Sequence, residues 1–455
     1  MNVMTNVAAT GLTRTLAEQA RALRFTDLPD DIRTRAKQCL LDTIAVSLPG
    51  AADPLTHLLL AEMEEQGGAP QASVIGHAAC LPAASAALVN GAAGHALDFD
   101  DVNMAMPGHP SVAILPALLA LAEARGASGA DVLTAFVAGY ELQCRVGRTI
   151  APWHYDVLGF HSTATIGSFG AAAACAHLLG LDTERFVIAL GIAGTQAAGL
   201  KSMFGTMCKP LHAGKASYHG LLAAKLAARG FTSRADVLEC VQGFARTHSP
   251  EFHPERALQD PPGGFHIRNN LVKYHAACYL THAPIETARK LREQHGFTPA
   301  QVAAASLRLD EACDRVCNIP APRTGLEAKF SLRLTTAMAL AGVDTGGLAS
   351  YSEQTAADPV LVALRDRVRF DFRPDNGHTK AALTLELTDG RTLTAEHDSG
   401  VPAADVADQG RRLEAKFIAL AEPLLGRART DALINDINAL DSLPNIQPMM
   451  ARCAG

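Results

Sequence analysis

The chain has 455 residues, more than one hydrophobic core usually supports, and this length predicts two domains. Hydrophobic residues make up 48% of it and charged residues 19%, a balance that excludes an intrinsically disordered protein. A formal net charge of −6 gives no electrostatic reason to expect a nucleic-acid partner, although it leaves room for a local cationic pocket that binds a small anion.

The start of the chain carries none of the features of an export signal. Its first amphipathic segment contains Arg14 and Glu18 and lacks an apolar core. The longest uncharged runs, such as "VIALGIAGTQAAGL", are too short for a membrane span and are interrupted by glycine. Ten scattered cysteines with no CxxC pair fit neither a disulfide framework nor a zinc framework. We therefore expect a soluble cytoplasmic protein with reduced thiols and no membrane partner.

Helical signals dominate from the start to about residue 250. "LPDDIRTRAKQCLLDTIAVSL" places Pro29 in a first helical turn with Asp30 and Asp31 behind it, at the end of a helix that favours negative charge. "SGADVLTAFVAGYELQCRVG" opens on a Ser-x-x-Asp capping pattern formed by Ser128 and Asp131. The Gly/Ala-rich stretches "GSFGAAAACAHLLGL" and "ASYHGLLAAKLAARG" predict buried helices that are each closed by a glycine. Strand alternation is weak in this part.

The pattern changes after about Phe265, where apolar and polar residues begin to alternate. "VAAASLRLD" and "RVRFDFRP" have the period of two that is typical of strands, and "AALTLELTDGRTLTAEHD" predicts a hairpin around Thr388-Asp389-Gly390. Helical patterns return after about Gly410. We therefore predict a mainly α protein with an α+β part: a large helical domain built from both chain ends, residues 1–268 and 406–455, and a smaller inserted α+β domain, residues 269–405.

The first segment that carries chemistry is "GHALDFDDVNMAMPGHP". It places three aspartates and two histidines between two apolar stretches: Asp98, Asp100, Asp101, His95 and His109. A helix is predicted to begin at Pro110, so its free N–H groups would face the same space as His109 and favour an anionic substrate there. The alternative is that the aspartates form Asx turns and that His109 only ends a loop. The sequence leaves both interpretations open.

A magnesium site is the third interpretation of this segment. The aspartate-rich DDxxD clamp of prenyl-diphosphate enzymes would need an aspartate at position 104, where Met104 stands. Such pockets also need aromatic walls, and aromatic residues make up only 5% of the chain. We therefore expect no metal.

Two further segments each offer one candidate. "GFHSTATIGSFG" places His161 just before a Gly/Ala-rich helix, where a histidine is either a capping residue or a proton carrier. "GTMCKPLHAGKASYHG" places Lys209 in a small-residue loop flanked by apolar helices, where a bare ammonium is costly to bury without a partner. This favours an anion site at Lys209, whereas Lys215 and His219 are also compatible with an ordinary helix face.

The fourth segment, "NNLVKYHAACYLTHAPIE", lies where the helical and strand-containing regions meet. It contains four candidates within ten positions: Lys273, His275, Cys278 and His282. Cys278 and His282 are four apart, which on a helix would allow a thiol–imidazole pair, and domain junctions often form clefts. No third ligand at metal spacing follows, and a Cys–His nucleophile needs a geometry that the sequence does not define.

Together the four segments supply lysines, histidines and an aspartate, with no nucleotide-binding loop and no metal motif. This inventory suits acid–base chemistry on a polycarboxylate without a cofactor. Lysines would hold carboxylates and stabilise an enediolate, while imidazole or carboxylate groups would move protons. We therefore expect a small di- or tricarboxylate as the substrate.

In these same segments the chain resembles the MmgE/PrpD family, which includes 2-methylcitrate dehydratase, cis-aconitate decarboxylase and iminodisuccinate epimerase. Five ordered blocks carry the resemblance over essentially the full length: "GHALDFDD…HP", "GFHSTATIGSFGAAAA", "KPLHAGKASYHGLLAAKLAARG", "KYHAACYLTH" and "TGLEAKFSL". It implies a helical domain from both chain ends, an α+β lid domain, a homodimer, and an active site between the domains with neither metal nor organic cofactor.

The resemblance also implies the roles of individual residues. The catalytic positions that it carries over are Asp98, His109, His161, Lys209 and Lys273. We expect the substrate to be contacted by Lys209, Lys273, Cys278 and His282. His161 or Asp98 would take the proton and His109 would protonate the leaving hydroxyl, although the acid and base assignments can be exchanged.

Three positions depart from the itaconate-forming decarboxylase branch of the family. Val102 stands where a threonine is expected, Cys278 where a histidine is expected, and Leu334 where a tyrosine is expected. Losing a hydroxyl, an imidazole and a phenol from one pocket should change proton delivery and substrate fit. The sequence therefore favours a 2-methylcitrate-type dehydratase, with epimerisation of an amino- or imino-dicarboxylate as the alternative. Cis-aconitate decarboxylation ranks below both, followed by a non-catalytic dimer that binds a small anion.

Overall fold

The computed structural model describes residues 11–374 and 376–455. The first ten residues, which the sequence predicts to belong to the helical domain and to lack a signal peptide, lie outside the described residues. Contacts within the chain divide it into two compact units, one ending at Asn270 and resuming from Ala403 to Gly455, the other spanning Leu271–Pro402. The protein is mainly α with an α+β part, as the sequence predicts.

The first unit is built from helices, in this order: α1 (Leu12–Ala22), α2 (Asp30–Gly50), α3 (Pro54–Gln66), α4 (Ala83–Ala96), α5 (Pro110–Arg125), α6 (Gly129–Ile150), α7 (Ser162–Leu178), α8 (Thr183–Gln196), α9 (Cys208–Ala228), α10 (Phe244–His248), α11 (Pro254–Leu258), and, after the second unit, α18 (Val406–Leu425), α19 (Arg427–Asn438) and α20 (Gln447–Cys453). A two-stranded antiparallel sheet, β1 (Ala72–Ser73) and β2 (Cys80–Leu81), joins them, although the sequence shows no strand signal there.

Local sequence signals account for several of these helix boundaries. The N-cap of α6 is Ser128, whose hydroxyl accepts a hydrogen bond from the backbone N–H of Asp131. α5 begins at Pro110 with His109 at its N-cap, so the predicted helix start is confirmed. Pro29 is the N-cap of α2 and lies one position before the predicted first turn, which Asp30 and Asp31 occupy.

Small residues let α9 lie close to its neighbours α4 and α7, against which it makes its most extensive contacts. A Cβ atom added at Gly91 would lie 2.9 Å from the Cα atom of Gly214, and one added at Gly214 would lie 2.3 Å from the carbonyl oxygen of Leu88. A side chain at either position would therefore separate the two helices. This close packing brings the start of α9 beside the end of α4.

Helix α18, in the C-terminal part of the chain, packs on α2 and holds the segment that follows α4. Lys416 of α18 donates hydrogen bonds to Oδ1 of Asp42 at 2.7 Å and to the carbonyl oxygen of Phe99 at 2.8 Å. Its ammonium also lies 3.7 Å from the centre of the Phe99 ring. Phe99 stands between Asp98 and Asp100, so a lysine from the end of the chain holds the backbone of the aspartate-rich loop.

The second unit contains a four-stranded sheet with short helices. Its strands follow the spatial order β4-β3-β5-β6, with β3 parallel to β4 and antiparallel to β5. The elements are β3 (Val302–Asp310), β4 (Val368–Arg373), β5 (Lys380–Leu387), β6 (Thr392–Asp398), α12 (His282–His295), α13 (Ala312–Cys317), α14 (Gly325–Ala328), α15 (Leu332–Ala341), α16 (Glu353–Ala357) and α17 (Pro359–Arg365). β5 and β6 form the predicted hairpin, and α12 packs against both strands.

Within the described ranges, no single helix has both the length and the apolarity that a bilayer crossing requires. The consecutive helices α2 and α3 meet that requirement only when they are counted together, and they are bent by 88° relative to each other.

Candidate active site

Three helices of the first unit begin next to one another, and each brings a candidate residue. His109 is the N-cap of α5, His161 is the N-cap of α7, and Lys209 lies in the first turn of α9. The backbone N–H of His109 donates to Oγ1 of Thr163 at 3.0 Å, which ties the start of α5 to the first turn of α7. Helix N-termini carry partial positive charge and free N–H groups, so this position favours an anion.

Lys209 and Asp98 form the central ion pair of this region. Nζ of Lys209 lies 2.7 Å from Oδ1 of Asp98, and the two residues are only 7% and 6% exposed. Nε2 of His109 lies 3.7 Å from the same carboxylate oxygen. Asp98 adopts a φ of 52°, a left-handed conformation that is uncommon for a residue with a Cβ atom. Such backbone strain clusters at functional sites, and here it falls on the carboxylate that contacts the lysine.

Asp100 lies behind His109, on the side opposite Asp98. Nδ1 of His95 lies 2.9 and 3.0 Å from the two carboxylate oxygens of Asp100, and Nδ1 of His109 lies 3.1 Å from Oδ2. Burial opposes ionisation, but the two facing imidazoles hold the pKa of Asp100 well below its usual value. Burial lowers the pKa of His95 to about 4 despite the nearby carboxylate, so His95 is a neutral imidazole that donates from Nδ1.

His161 is a neutral imidazole in contact with a second histidine. It is 1% exposed, and its Nδ1 lies 3.1 Å from Nδ1 of His212 on α9. Burial, reinforced by the positive charge of Lys209, lowers the pKa of both histidines. One imidazole must donate and the other accept, so a single proton is shared between His161 and the half-buried His212. The ring of His161 also stacks on that of His95, which connects it with the carboxylate cluster.

Asp101 faces away from these groups and caps the start of α5. Its carboxylate accepts hydrogen bonds from the hydroxyl and the backbone N–H of Ser111. Burial raises the pKa of Asp101 to about 7, and the negative charges of Asp42 and Asp100 raise it further, against the effect of Ser111. The neighbouring aspartates therefore differ: Asp100 is held ionised by histidines, whereas Asp101 retains its proton up to neutral pH.

The raised pKa of Asp101 predicts how the stability of the protein depends on pH. The folded chain holds the Asp101 proton with a pKa of about 7, whereas the unfolded chain releases it near 3.8. The contribution of Asp101 to stability is therefore complete below pH 4 and is lost as the pH rises through 7. The Asp101→Asn variant does not titrate there, so its free energy of unfolding relative to the unsubstituted chain should improve by about 2–3 kcal/mol between pH 5 and pH 8. Urea unfolding of both proteins at the two pH values measures this change, and an equal difference at both would contradict it.

Four of the clustered side chains also have the donor types of a metal site. One donor atom from each of His95, Asp98, Asp100 and His109 lies within 4.8 Å of the others. Two imidazoles and two carboxylates suit zinc and similar divalent ions. An ion in contact with Asp98 would have to share that carboxylate with the ammonium of Lys209, which lies 2.7 Å from Oδ1. The linear spacing of these residues gave no sign of this arrangement.

The remaining predicted residues belong to the second unit. Lys273 is buried in the irregular segment that precedes the 3₁₀ turn Tyr279–Thr281. His275 has a structural environment: its Nε2 lies 2.9 Å from Oε1 of Glu286, and its Nδ1 lies 2.8 Å from Oγ1 of Thr345. The assignment of Lys273 to the same site as Lys209 stays a prediction.

Cys278 and His282 do not share one α-helix. Cys278 precedes the 3₁₀ turn, and His282 is the first residue of α12, so the helical spacing assumed for a thiol–imidazole pair does not apply. Cys278 instead belongs to the hydrophobic core of the second unit, together with Cys313 and Cys317. Burial raises the pKa of Cys317, and the neighbouring thiol of Cys278 raises it further. Thiols in such surroundings are weak nucleophiles.

Three residues outside the predicted site set contact its members: His95, Asp100 and His212. His95 and Asp100 stand within the segment that contains Asp98 and His109, but nothing in their spacing showed that they would surround one imidazole. His212 follows Lys209 by three positions, and this helical spacing, visible in the sequence, places the two residues on one face of α9.

Both parts of the chain match domains of known proteins. Residues 14–257 match the MmgE/PrpD N-terminal domain, and residues 275–440 match the MmgE/PrpD C-terminal domain.

Individual relatives are similar over most of their length. A cis-aconitate decarboxylase of Mus musculus is 29% identical over 451 residues, which cover 95% of this chain and 91% of the relative. A cis-aconitate decarboxylase of Aspergillus terreus (strain NIH 2624 / FGSC A1156) is 28% identical, covering 97% of this chain and 96% of the relative. A 2-methylcitrate dehydratase of Cupriavidus necator is 26% identical and covers 79% of each chain. The two domain matches together span most of the sequence, and the chain therefore belongs to the MmgE/PrpD family of enzymes, as its five sequence blocks predict.

Proposed function

We propose that this enzyme is a lyase that removes a proton next to a carboxylate of a small polycarboxylate. The observation that carries the proposal is the buried group formed by Lys209, Asp98 and His109, with His161 beside it, at three helix N-termini. This arrangement offers an ammonium for a substrate carboxylate and several groups that can exchange protons. The decarboxylase and dehydratase relatives, whose names both refer to small polycarboxylates, support the same substrate class.

The geometry supports a division of roles. The ammonium of Lys209 would bind a substrate carboxylate and stabilise the enediolate that forms when the adjacent carbon loses its proton. His161 is neutral, because burial lowers its pKa, and it can therefore accept that proton, which His212 can help to delocalise. Asp98 is the second candidate for the base. His109, which faces two carboxylates, would deliver the proton to the leaving hydroxyl.

The second unit would complete substrate binding. We propose that Lys273 holds another carboxylate of the substrate and that Cys278 and His282 contact it. As the family resemblance implies, the enzyme would act as a homodimer in the cytoplasm without a cofactor.

Among the reactions of this class, we favour dehydration of a 2-methylcitrate-type substrate, in which a C–H and a C–O bond break to give an alkene and water. Val102, Cys278 and Leu334 support this choice because each is buried and replaces a polar group expected in a cis-aconitate decarboxylase. Cis-aconitate decarboxylation is the second candidate, and the similarity to the mouse and Aspergillus decarboxylases over nearly the whole chain favours it. Epimerisation of an amino- or imino-dicarboxylate would share only the first proton transfer with the dehydration.

Proton NMR in D₂O with a panel of di- and tricarboxylates tests the proposal. With 2-methylcitrate we expect a new alkene product and no loss of CO₂. Conversion of cis-aconitate to an alkene with one carboxylate fewer would instead establish the decarboxylase. Deuterium wash-in with inversion and no alkene would establish the epimerase. If no member of the panel is converted or exchanged, the proposed substrate class is wrong.

A further inference from the structure

We propose that Asp100, backed by His95, is a positioning pair that fixes the protonation geometry of His109, so that His109 exchanges protons only through Nε2. The inference rests on the role of His109 in the proposed function and assigns a task to two residues outside the predicted set. It concerns groups that act on the catalytic imidazole and do not themselves touch the substrate.

The contacts define which nitrogen of His109 is held. Oδ2 of Asp100 lies 3.1 Å from Nδ1 of His109, whereas Nε2 of the same ring points toward Asp98 at 3.7 Å. An ionised carboxylate can only accept hydrogen bonds. The contact with Oδ2 is not aligned as a hydrogen bond, but a hydrogen on Nδ1 avoids the repulsion between a ring lone pair and the carboxylate, and in the neutral ring Nε2 is then the nitrogen without one. This nitrogen lies on the side of Asp98 and Lys209, where the reaction is proposed to occur.

Asp100 can perform this task because it stays ionised in a buried place. Its carboxylate is fully buried, and a buried carboxylate without donors is strongly destabilising. Nδ1 of His95 donates a hydrogen bond to this carboxylate and Nδ1 of His109 lies 3.1 Å from it, and the two imidazoles hold the pKa of Asp100 well below its usual value. The carboxylate also orients the imidazole of His109, as the buried aspartate does for the histidine of a Ser-His-Asp triad.

His95 makes the orientation of Asp100 unique. It occupies the last turn of α4, and its Nδ1 lies within 3.0 Å of both carboxylate oxygens. The rings of His95 and His109 meet edge to face with centroids 4.5 Å apart, which limits rotation of the His109 ring. The last turn of α4 thus fixes the orientation of the Asp100 carboxylate, and this carboxylate fixes the orientation of the His109 imidazole.

The Asp100→Asn variant tests the pair in two independent ways. A carboxamide can donate to Nδ1, so His109 should change to the tautomer that carries its hydrogen on Nε2. Nitrogen NMR of ¹⁵N-histidine-labelled protein without substrate detects this change, with the His109 signals identified by their loss in a His109→Gln variant. We also expect kcat to fall about 10²-fold with KM nearly unchanged.

Asp101→Asn is the matched control, since Asp101 is the next residue, equally buried, and bonded to Ser111. It should retain the original tautomer of His109 and the original kcat. Retention of that tautomer or of full kcat in Asp100→Asn would overturn the proposal, as would equal losses in both variants. The tautomer readout needs no substrate. A tautomer change in an enzyme that converts no polycarboxylate would therefore support the pairing while contradicting the proposed function.

A second variant decides the outcome if Asp100→Asn does not fold. His95→Phe keeps a ring of similar size but removes the Nδ1 donor, leaving Asp100 with His109 alone. We expect this variant to keep the Nδ1–H tautomer of His109 and to lose about 10-fold in kcat, because the orientation of the carboxylate is no longer fixed. An unchanged kcat would overturn the role of His95.

Discussion

Replacement of Lys209 by methionine should lower kcat/KM for the best polycarboxylate substrate by about 10³-fold, the upper range for loss of one preorganised electrostatic group. Methionine fills similar space but has no charge, so the substrate carboxylate loses its ammonium partner and the enediolate loses its stabilising charge. Since the ammonium is 2.7 Å from Asp98, the variant also leaves a buried carboxylate without that partner. Steady-state kinetics across the substrate panel measure the effect.

Two variants separate the loss of chemistry from the loss of structure. Lys215→Met removes an ammonium from the same helix, six positions on, and should leave kcat/KM within about 3-fold of the original, because exposed or half-buried charges contribute little. In the double variant Asp98→Asn/Lys209→Met the buried carboxylate is neutral, so stability should recover while activity stays low. A Lys209→Met enzyme with near-normal kcat/KM would remove Lys209 from the mechanism.

Replacement of Lys416 by methionine should reduce the free energy of unfolding by about 3–5 kcal/mol, because it leaves Asp42 charged and buried without its cation. The ammonium of Lys416 also contacts the Phe99 carbonyl oxygen at 2.8 Å, so the variant should loosen the loop that carries Asp98 and Asp100. Urea unfolding monitored by circular dichroism measures the loss of stability.

Lys37 provides a close match for comparison. It lies on α2, as Asp42 does, and likewise donates to one carboxylate, of Asp441 at 2.7 Å, and to one carbonyl oxygen, of Asn438 at 2.8 Å. Its pair is more exposed, so Lys37→Met should cost only about 1 kcal/mol or less. In Asp42→Asn/Lys416→Met no unpaired charge remains, and most of the lost stability should return. Equal costs for Lys416→Met and Lys37→Met would show that burial of the first pair is energetically unimportant.

Elements that depend on local sequence could be predicted. The alternating run "VAAASLRLD" became β3 with the bounds Val302–Asp310, and the turn at Thr388-Asp389-Gly390 became the β5–β6 hairpin. Ser128 caps α6 through its own hydroxyl, and His109 lies at the start of α5 because Pro110 cannot donate a backbone hydrogen bond. In each case the determining residues are within a few positions of the structure they produce.

The arrangement of side chains at the site could not be predicted in the same way. Lys209 is 111 residues from Asp98, and their 2.7 Å contact depends on the close approach of α4 and α9 at Gly91 and Gly214. Hydrophobic periodicity and helix-capping patterns contain no information on a contact between residues so far apart in the sequence. Resemblance to a family named the pair that meets, Asp98 and Lys209, but not the supporting histidines, because their importance depends on which nitrogen faces which oxygen.

The hydrogen bond between Lys416 and the Phe99 carbonyl oxygen also affects the order in which the protein folds during translation. The two residues are separated by 317 positions, so a nascent chain has already exposed its aspartate-rich loop long before the lysine leaves the ribosome. Until then Asp42 and the backbone of the loop lack their contacts with the ammonium of Lys416. Catalytic competence should therefore be acquired late, only after the last helices have been synthesised and have folded back onto the oldest part of the polypeptide.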